Sequence, residues 1–461
     1  MKSLKTNLKA KAKSMAQIDN WNLESWKNKT IRQQATYPDQ AHLDQALSTL
    51  TSLPPLVTSW EVKRLKNYMA EVSRGERFLV QGGDCAESFA DCNSSIISNR
   101  LKVLIQMSLV LIHGCQIPVV RVGRFAGQYA KPRSADLETR DGVSLPSFRG
   151  DIVNQNEFTE ASRIPNPDKM LEAYHHSAMT MNFIRALVAG GFADIRHPEY
   201  WNIDWVKHSK SAEKFSNLVA QIKESVNFAE VLVGRKVHNL SSVEFFSAHE
   251  ALHLHYEQAL TRTVPRQDGH FNLSAHFPWI GLRTNQLDSA HVELLRGVEN
   301  PIGVKIGPET DDDHLIDLCR TLNPHNEAGK LTLIHRFGAK NIESNLPRLV
   351  KTAQKADLDV VWCADPMHGN TESTSNGYKT RRFDNISKEI ELAFKVHKAN
   401  GSHLGGVHLE LTGENVTECL GGARSLQEAD LTKAYTTQVD PRLNYEQALE
   451  LAFSIKDFYK R

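Results

Sequence analysis

From residue 75 onward the sequence repeats one pattern: a short apolar run, often closed by glycine, then a longer stretch of helical periodicity. The runs fall at residues 78–81, 118–122, 243–247, 276–280, 302–306, 331–335, 360–363 and 406–410. Strands that alternate with helices read as consecutive βα units and a parallel sheet. Eight such units close into a (β/α)8 TIM barrel, the predicted fold of residues 75–461. Ala448, Leu451, Ala452, Ile455 and Tyr459 recur at helical spacing and predict its last helix. The acidic run Asp311-Asp312-Asp313 reads as a helix start, where carboxylates meet the positive end of the dipole.

One long gap, about residues 125–242, breaks the rhythm. It holds a loop rich in charge and glycine, then helical patterns near 170–187 and 212–231. These predict extra helices, at about 165–240, inserted between strands two and three. Ahead of the barrel, Trp21, Trp26 and Tyr37 suggest that packing begins by residue 21, so residues 21–74 read as an N-terminal extension packed on the barrel. Residues 1–20 carry Lys2, Lys5, Lys9, Lys11 and Lys13 and read as a basic, flexible leader.

Composition narrows the class. A net charge of +1 argues against a dedicated nucleic-acid binder. The longest apolar run, residues 103–112, is about half a membrane span and is interrupted by Gln106 and Ser108. Residues 1–20 lack the apolar segment of a secretory signal. Six cysteines in 461 residues are no disulfide framework, and Cys92, Cys115, Cys319, Cys363 and Cys419 read as structural thiols. The expectation is a cytoplasmic globular protein with neither nucleic acid nor membrane as partner.

Barrel chemistry sits at the C-terminal ends of the strands. Two groups of side chains fall on that edge. The first is cationic: Arg124, Lys131, Arg133, Arg283, Lys305 and Arg336. Any one of them alone reads as solvated or ion-paired. Six on one rim repel each other unless anions lie between them, and Arg forks and Lys charges suit phosphate. The second group is Cys85, His368, Glu410 and Asp440. It contains neither a CxxC nor an HExxH spacing, and taken singly its Cys and His read as ordinary core residues. What unites the four is position after strands one, seven and eight, which are neighbours in a closed barrel. Thiolate, imidazole and two carboxylates suit manganese, iron, cobalt or zinc. His408 shares a strand face with Glu410 and is a candidate to orient the site.

Seven stretches occur in an order that resembles the type II 3-deoxy-D-arabino-heptulosonate 7-phosphate (DAHP) synthases: QGGDCAESF at 81–89, VGRFAGQYAKPRS at 122–134, HEAL at 249–252, NPIGVKIGP at 300–308, DPMHGNT at 365–371, GGVHLELTGENVTECLGG at 405–422 and DPRLN at 440–444. The similarity runs from about Trp21 to the C-terminus. It implies the same barrel with an N-terminal extension and extra helices. It also implies the first step of the shikimate pathway to aromatic amino acids, in which phosphoenolpyruvate, erythrose 4-phosphate and water give DAHP and phosphate. The implied ligands of a divalent metal, manganese first and cobalt or another first-row metal after it, are Cys85, His368, Glu410 and Asp440. Phosphoenolpyruvate is implied to meet Arg124, Leu282, Arg283, Lys305 and Arg336, and erythrose 4-phosphate to meet Lys131, Arg133 and Ser134. A homo-oligomer and a chorismate mutase partner are implied as well.

Three positions depart from the pattern: Leu282 stands where Glu is expected, Phe337 where Met is, and Val439 where Cys precedes the metal-binding Asp. They raise the alternative of a diverged paralogue in specialised aromatic metabolism, or a weakly active regulatory partner of chorismate mutase. A different metal-dependent barrel enzyme, such as a hydrolase, would not need so many cations.

Overall fold

The computed structural model describes residues 20–192, 194, 210–234 and 243–460. Its centre is a closed barrel of eight parallel strands: β1 (Phe78–Gly83), β2 (Val119–Arg124), β3 (Phe246–Glu250), β4 (Phe277–Ile280), β5 (Ile302–Ile306), β6 (Leu331–His335), β7 (Val361–Ala364) and β8 (Gly406–Glu410). Each strand pairs with the next in sequence, and β8 returns to β1 through Leu79 opposite Gly406 and Gly83 opposite Glu410. Sequential right-handed βα units close in this way because each helix packs back on the sheet it leaves.

Three strands differ by two residues or more from the apolar runs that predicted them, and β4 and β7 by one. β1 and β2 run two residues further, so Gly83 and Arg124 are ladder partners within the strands. At Gly83 (φ +149°) a Cβ would lie 2.6 Å from the Arg124 carbonyl oxygen, so the ladder tolerates only glycine there. β3 begins three residues late. Phe245, inside the predicted run, stacks on Phe125 with ring centroids 5.1 Å apart, and pairing with β2 starts at Phe246.

The inward side chains Leu79, Val120, Phe246, Phe277, Ile334 and Val361 form one cluster with Leu65, Met69 and Val72 of helix α1 (Ser59–Ser73). This helix closes the N-terminal end of the barrel. It is started by a capping box in which Glu61 N–H donates to Thr58 Oγ1 at 3.3 Å and Thr58 N–H donates to Glu61 at 2.8 Å. Earlier in the extension, Trp26 packs on Leu254, Ala290 and Leu294.

On the outside, Phe78, Val80, Val407 and Leu409 pack with helix α2 (Ser94–Cys115) and the final helix α3 (Tyr445–Lys460). Helix α2 is long and apolar enough to cross a membrane by composition, and its apolar residues are core of the barrel wall. Two inserted helices, Asp168–Ala189 and Lys210–Val233, follow β2. The charged loop before them contains an unpredicted hairpin, Leu137–Arg140 with Val143–Pro146. Its strands are largely exposed and carry no apolar face, so periodicity gives no signal. The Asp141-Gly142 turn, with φ +49° and +81°, was the available clue. The predicted leader and parts of the insertion fall outside the described residues.

Candidate active site

Cys85, His368, Glu410 and Asp440 meet at the C-terminal mouth of the barrel, and one potential ligand atom from each lies within 4.8 Å of all the others. They arrive from the loop after β1, a turn after β7, the last residue of β8 and the loop before α3. His368 Nδ1 faces Asp365 Oδ2 at 2.7 Å and Nε2 faces Glu410 Oε1 at 3.1 Å, so Asp365 can keep the Nδ1 proton while Nε2 would give up its own to serve a metal. Asp365 in turn is held by Lys305 Nζ and by the Met367 N–H at 3.0 Å. Cys85 Sγ lies 3.5 Å from Asp440 Oδ2.

The electrostatics fit a divalent cation. Burial pushes the Glu410 carboxyl up, but His368, Arg381 and Arg124 outweigh it and hold the group well below the carboxylate range. Burial, with Glu410 and Asp440 beside it, pushes the Cys85 thiol well above its ordinary value. Three potentially anionic donors and one imidazole therefore crowd into a few ångströms. A metal ion among them would relieve that repulsion and make the thiolate accessible.

The predicted cations converge on the same place. Arg124, Lys131, Arg133, Ser134, Leu282, Arg283, Lys305, Arg336 and His408 line a cleft of about 590 Å³ with Cys85, His368 and Asp440, while Glu410 is buried at its floor. Arg124 Nη1 meets His408 Nε2 at 2.9 Å, and its guanidinium lies 5.0 Å from the centroid of the Trp279 ring. His408 is kept neutral by burial and by the Lys305 and Arg124 charges, so it is an acceptor for Arg124 and touches none of the four potential ligands through its ring nitrogens. Arg336 Nη2 donates to the His368 carbonyl at 3.2 Å. Further out, Arg283 Nη2 meets Ser134 Oγ at 3.3 Å, and Lys131 Nζ reaches the Gln438 carbonyl at 3.4 Å. Gln33, from the extension, clamps the Arg133 backbone with bonds of 2.7 and 2.9 Å.

Buried glutamates fix the loops that carry these groups. Glu87 accepts the N–H groups of Ala126, Gly127 and Gln128 at 3.0, 2.9 and 2.8 Å. Glu389 accepts those of Phe337 and Gly338 at 3.0 and 2.9 Å and binds Asn370 Nδ2 at 2.6 Å. The loop bearing Arg336 is thereby tied to the loop bearing His368.

Sequence reasoning did not single out Glu250, Lys379 or Arg381. Glu250 ends β3 and lines the cleft. Burial raises its carboxyl against the pull of Lys305, His368, Arg124 and Arg283. A Cβ on Gly281 would lie 2.0 Å from Glu250 Oε1, so glycine there is what admits the carboxylate. Lys379 Nζ pairs with Asp440 Oδ1 at 2.9 Å, and Arg381 pairs with Glu410 Oε2. Both come from a small hairpin after β7, Thr371–Ser373 with Lys379–Arg381. Of the three departures, Leu282 and Val439 line the cleft, whereas Phe337 is buried outside it and stacks on His335.

Residues 21–456 match the Class-II DAHP synthetase family. A phospho-2-dehydro-3-deoxyheptonate aldolase of Neurospora crassa is 46% identical over 457 residues, covering 96% of this chain and 95% of that one. A protein of the same name from Streptomyces coelicolor is 47% identical over 436 residues, covering 95% and 97%. A crystal structure of a phospho-2-dehydro-3-deoxyheptonate aldolase (DAHP synthase) from Thermotoga maritima aligns with 83% of this chain and 68% of that one, at 14% identity and a TM-score of 0.35.

Proposed function

The chain belongs to the Class-II DAHP synthetase family, and from that premise we propose that its cleft condenses phosphoenolpyruvate with erythrose 4-phosphate and water, giving DAHP and phosphate at the head of aromatic amino-acid biosynthesis. One observation carries the reading: four potential metal donors and six cations share a single cleft at the barrel mouth.

Arg124, Arg283, Lys305 and Arg336, with the Leu282 backbone, form the inner anion site, for phosphoenolpyruvate. Lys131, Arg133 and Ser134 form the outer one, for the phosphate of erythrose 4-phosphate, and the Arg283–Ser134 contact joins the two. A divalent metal, manganese first and cobalt or another first-row metal after it, would be held by Cys85, His368, Glu410 and Asp440 and would supply Lewis acidity at the aldehyde oxygen. The nucleophile is C3 of phosphoenolpyruvate, so no protein nucleophile is required. The cations hold two mutually repelling anions side by side, which removes the entropic cost of their encounter. The new carbon–carbon bond joins C3 to the aldehyde carbon, water adds at C2, and the C2–O bond to phosphate breaks. Glu250, whose carboxyl is raised by burial and faces the cations, is the group placed to take the water's proton. Chelation is expected to abolish turnover and added manganese to restore it; full turnover by metal-free protein contradicts the metal assignment.

The outer site has a pH signature. Burial and the neighbouring Arg133 bring the Lys131 ammonium down to about 8. It therefore loses its charge as pH rises through that value, and kcat/KM for erythrose 4-phosphate is expected to fall on the alkaline side. Lys131→Arg keeps its charge at every accessible pH and should remove that limb. An identical alkaline profile in the variant excludes Lys131.

Leu282 can still offer its backbone N–H to phosphate but not a side-chain carboxylate. Leu282→Glu is expected to change the KM for either substrate by no more than about tenfold, the size of a modest hydrogen-bond change. Turnover that appears only in the variant would identify a diverged paralogue. The intact donor and cation sets argue against the weakly active regulatory reading. Phe228, Val231 and Leu232, at 68, 81 and 74% exposure on the second inserted helix, support a homo-oligomer. Chorismate mutase is a proposed partner on the family resemblance alone.

A further inference from the structure

Behind the cleft lies a set of buried charges that does not line it. Asp84 immediately precedes Cys85, and Arg442, only 8% exposed, follows Asp440 by two residues. Arg442 Nη1 donates to Asp84 Oδ1 at 2.6 Å, while its Nε and Nη2 donate to Glu418 at 3.1 and 2.8 Å. Glu418 also accepts the N–H groups of Thr436, Thr437 and Arg442 at 3.2, 2.8 and 2.8 Å, so one carboxylate gathers the strap that carries Asp440. On its far side Asp84 meets Arg100 Nη2 at 2.5 Å, and Arg100 reaches Asp91 at 2.8 Å and Glu87 at 3.6 Å.

The four potential ligands are thus held by two different means. Glu410 ends a barrel strand, and His368, on the turn after β7, is aimed by Asp365, which directly follows that strand, so that pair is tied to the sheet edge. Cys85 and Asp440 stand beyond the last ladder pair, on loops. The ion pair between Asp84 and Arg442 spans those two loops one residue from Cys85 and two from Asp440. We propose that Asp84, Arg442 and Glu418 form a positioning unit that sets the approach of Cys85 to Asp440, and with it the contribution of the thiolate half of the site to metal affinity. The proposal rests on the metal reading above. None of the three residues lines the cleft, so their effect would reach the reaction through the ligands.

Cobalt(II) tests this directly, because thiolate coordination gives a charge-transfer absorption that carboxylate and imidazole do not. Wild-type protein is titrated beside Asp84→Asn, which keeps the shape, and Arg442→Lys, which keeps the charge but loses the fork; melting temperatures are recorded for each. Lys66→Met serves as a control, since it removes a buried ammonium that pairs with the exposed carboxylates of Glu299 and Glu327 at the opposite end of the barrel. Both site variants are expected to raise the Kd for cobalt(II) ten- to a hundredfold and to weaken the thiolate band, a typical effect of removing a group that orients ligands. The control is expected to melt earlier with an unchanged Kd and band. Wild-type Kd and a full thiolate band in both site variants overturn the proposal, as does an equal loss in the control. If the wild type binds no cobalt(II), the metal reading itself falls and the positioning unit with it.

Discussion

Cys85→Ala is expected to lose metal affinity and turnover together, each by about a hundredfold or more, exceeding the cost of losing a mere orienting group. The reason lies in the donor set. Removing Cys85 leaves one imidazole and two carboxylates, of which Asp440 is already engaged by Lys379 and Glu410 by Arg381 and Arg124. The thiolate is also the softest donor present, so its loss changes which metals are preferred as well as how tightly they bind. Burial and its carboxylate neighbours push the Cys85 thiol up, so its thiolate form depends on a bound cation. Metal content by elemental analysis, paired with steady-state rates, checks this; a variant that keeps both stoichiometric metal and wild-type turnover removes Cys85 from the site.

Lys305→Ala and Arg336→Ala come next in size. On the proposed reading each deletes a charge-assisted contact to an anionic substrate, a cost of about 1.5–3 kcal/mol, or roughly ten- to a hundredfold in kcat/KM for phosphoenolpyruvate. Lys305 is expected to show the larger loss. It also pairs with Asp365, which aims the His368 ring, so its removal disturbs both the anion site and the metal site. Arg336 touches that region only through the His368 carbonyl, so Arg336→Ala should mainly raise KM. Unchanged kinetics in both variants excludes them from substrate binding.

Much of this arrangement was legible in the sequence, for reasons that are local. The runs at 302–306, 331–335 and 406–410 match β5, β6 and β8 end to end, because a strand buried on both faces is mostly apolar and its charged or imidazole residues, here Lys305, His335, His408 and Glu410, fall among its last three positions at the mouth. Once strand ends are known, the cations that follow them are known to share a rim. The donor set was legible only through closure: Cys85 and Glu410 are far apart in sequence and meet because β8 pairs with β1. What was hidden depends on tertiary approach. Val243 and Phe245 extend an apolar run without joining the ladder, since Phe245 finds its partner in Phe125 outside the barrel. Lys379 and Arg381 reach the site from a short hairpin with no periodic signature, and Glu250 became prominent only when Gly281 was seen to leave room for it. Arg442 and Glu418 sat within recognised stretches, but nothing in their spacing revealed that they hold Asp440 and Cys85 together.

The central claim is the condensation itself, and consumption of phosphoenolpyruvate followed in the ultraviolet tests it most directly. With manganese present, absorbance is expected to fall only when erythrose 4-phosphate is added, with one phosphate released for each phosphoenolpyruvate consumed. No loss of phosphoenolpyruvate with both substrates and metal present, or a loss that proceeds equally without erythrose 4-phosphate, would contradict it.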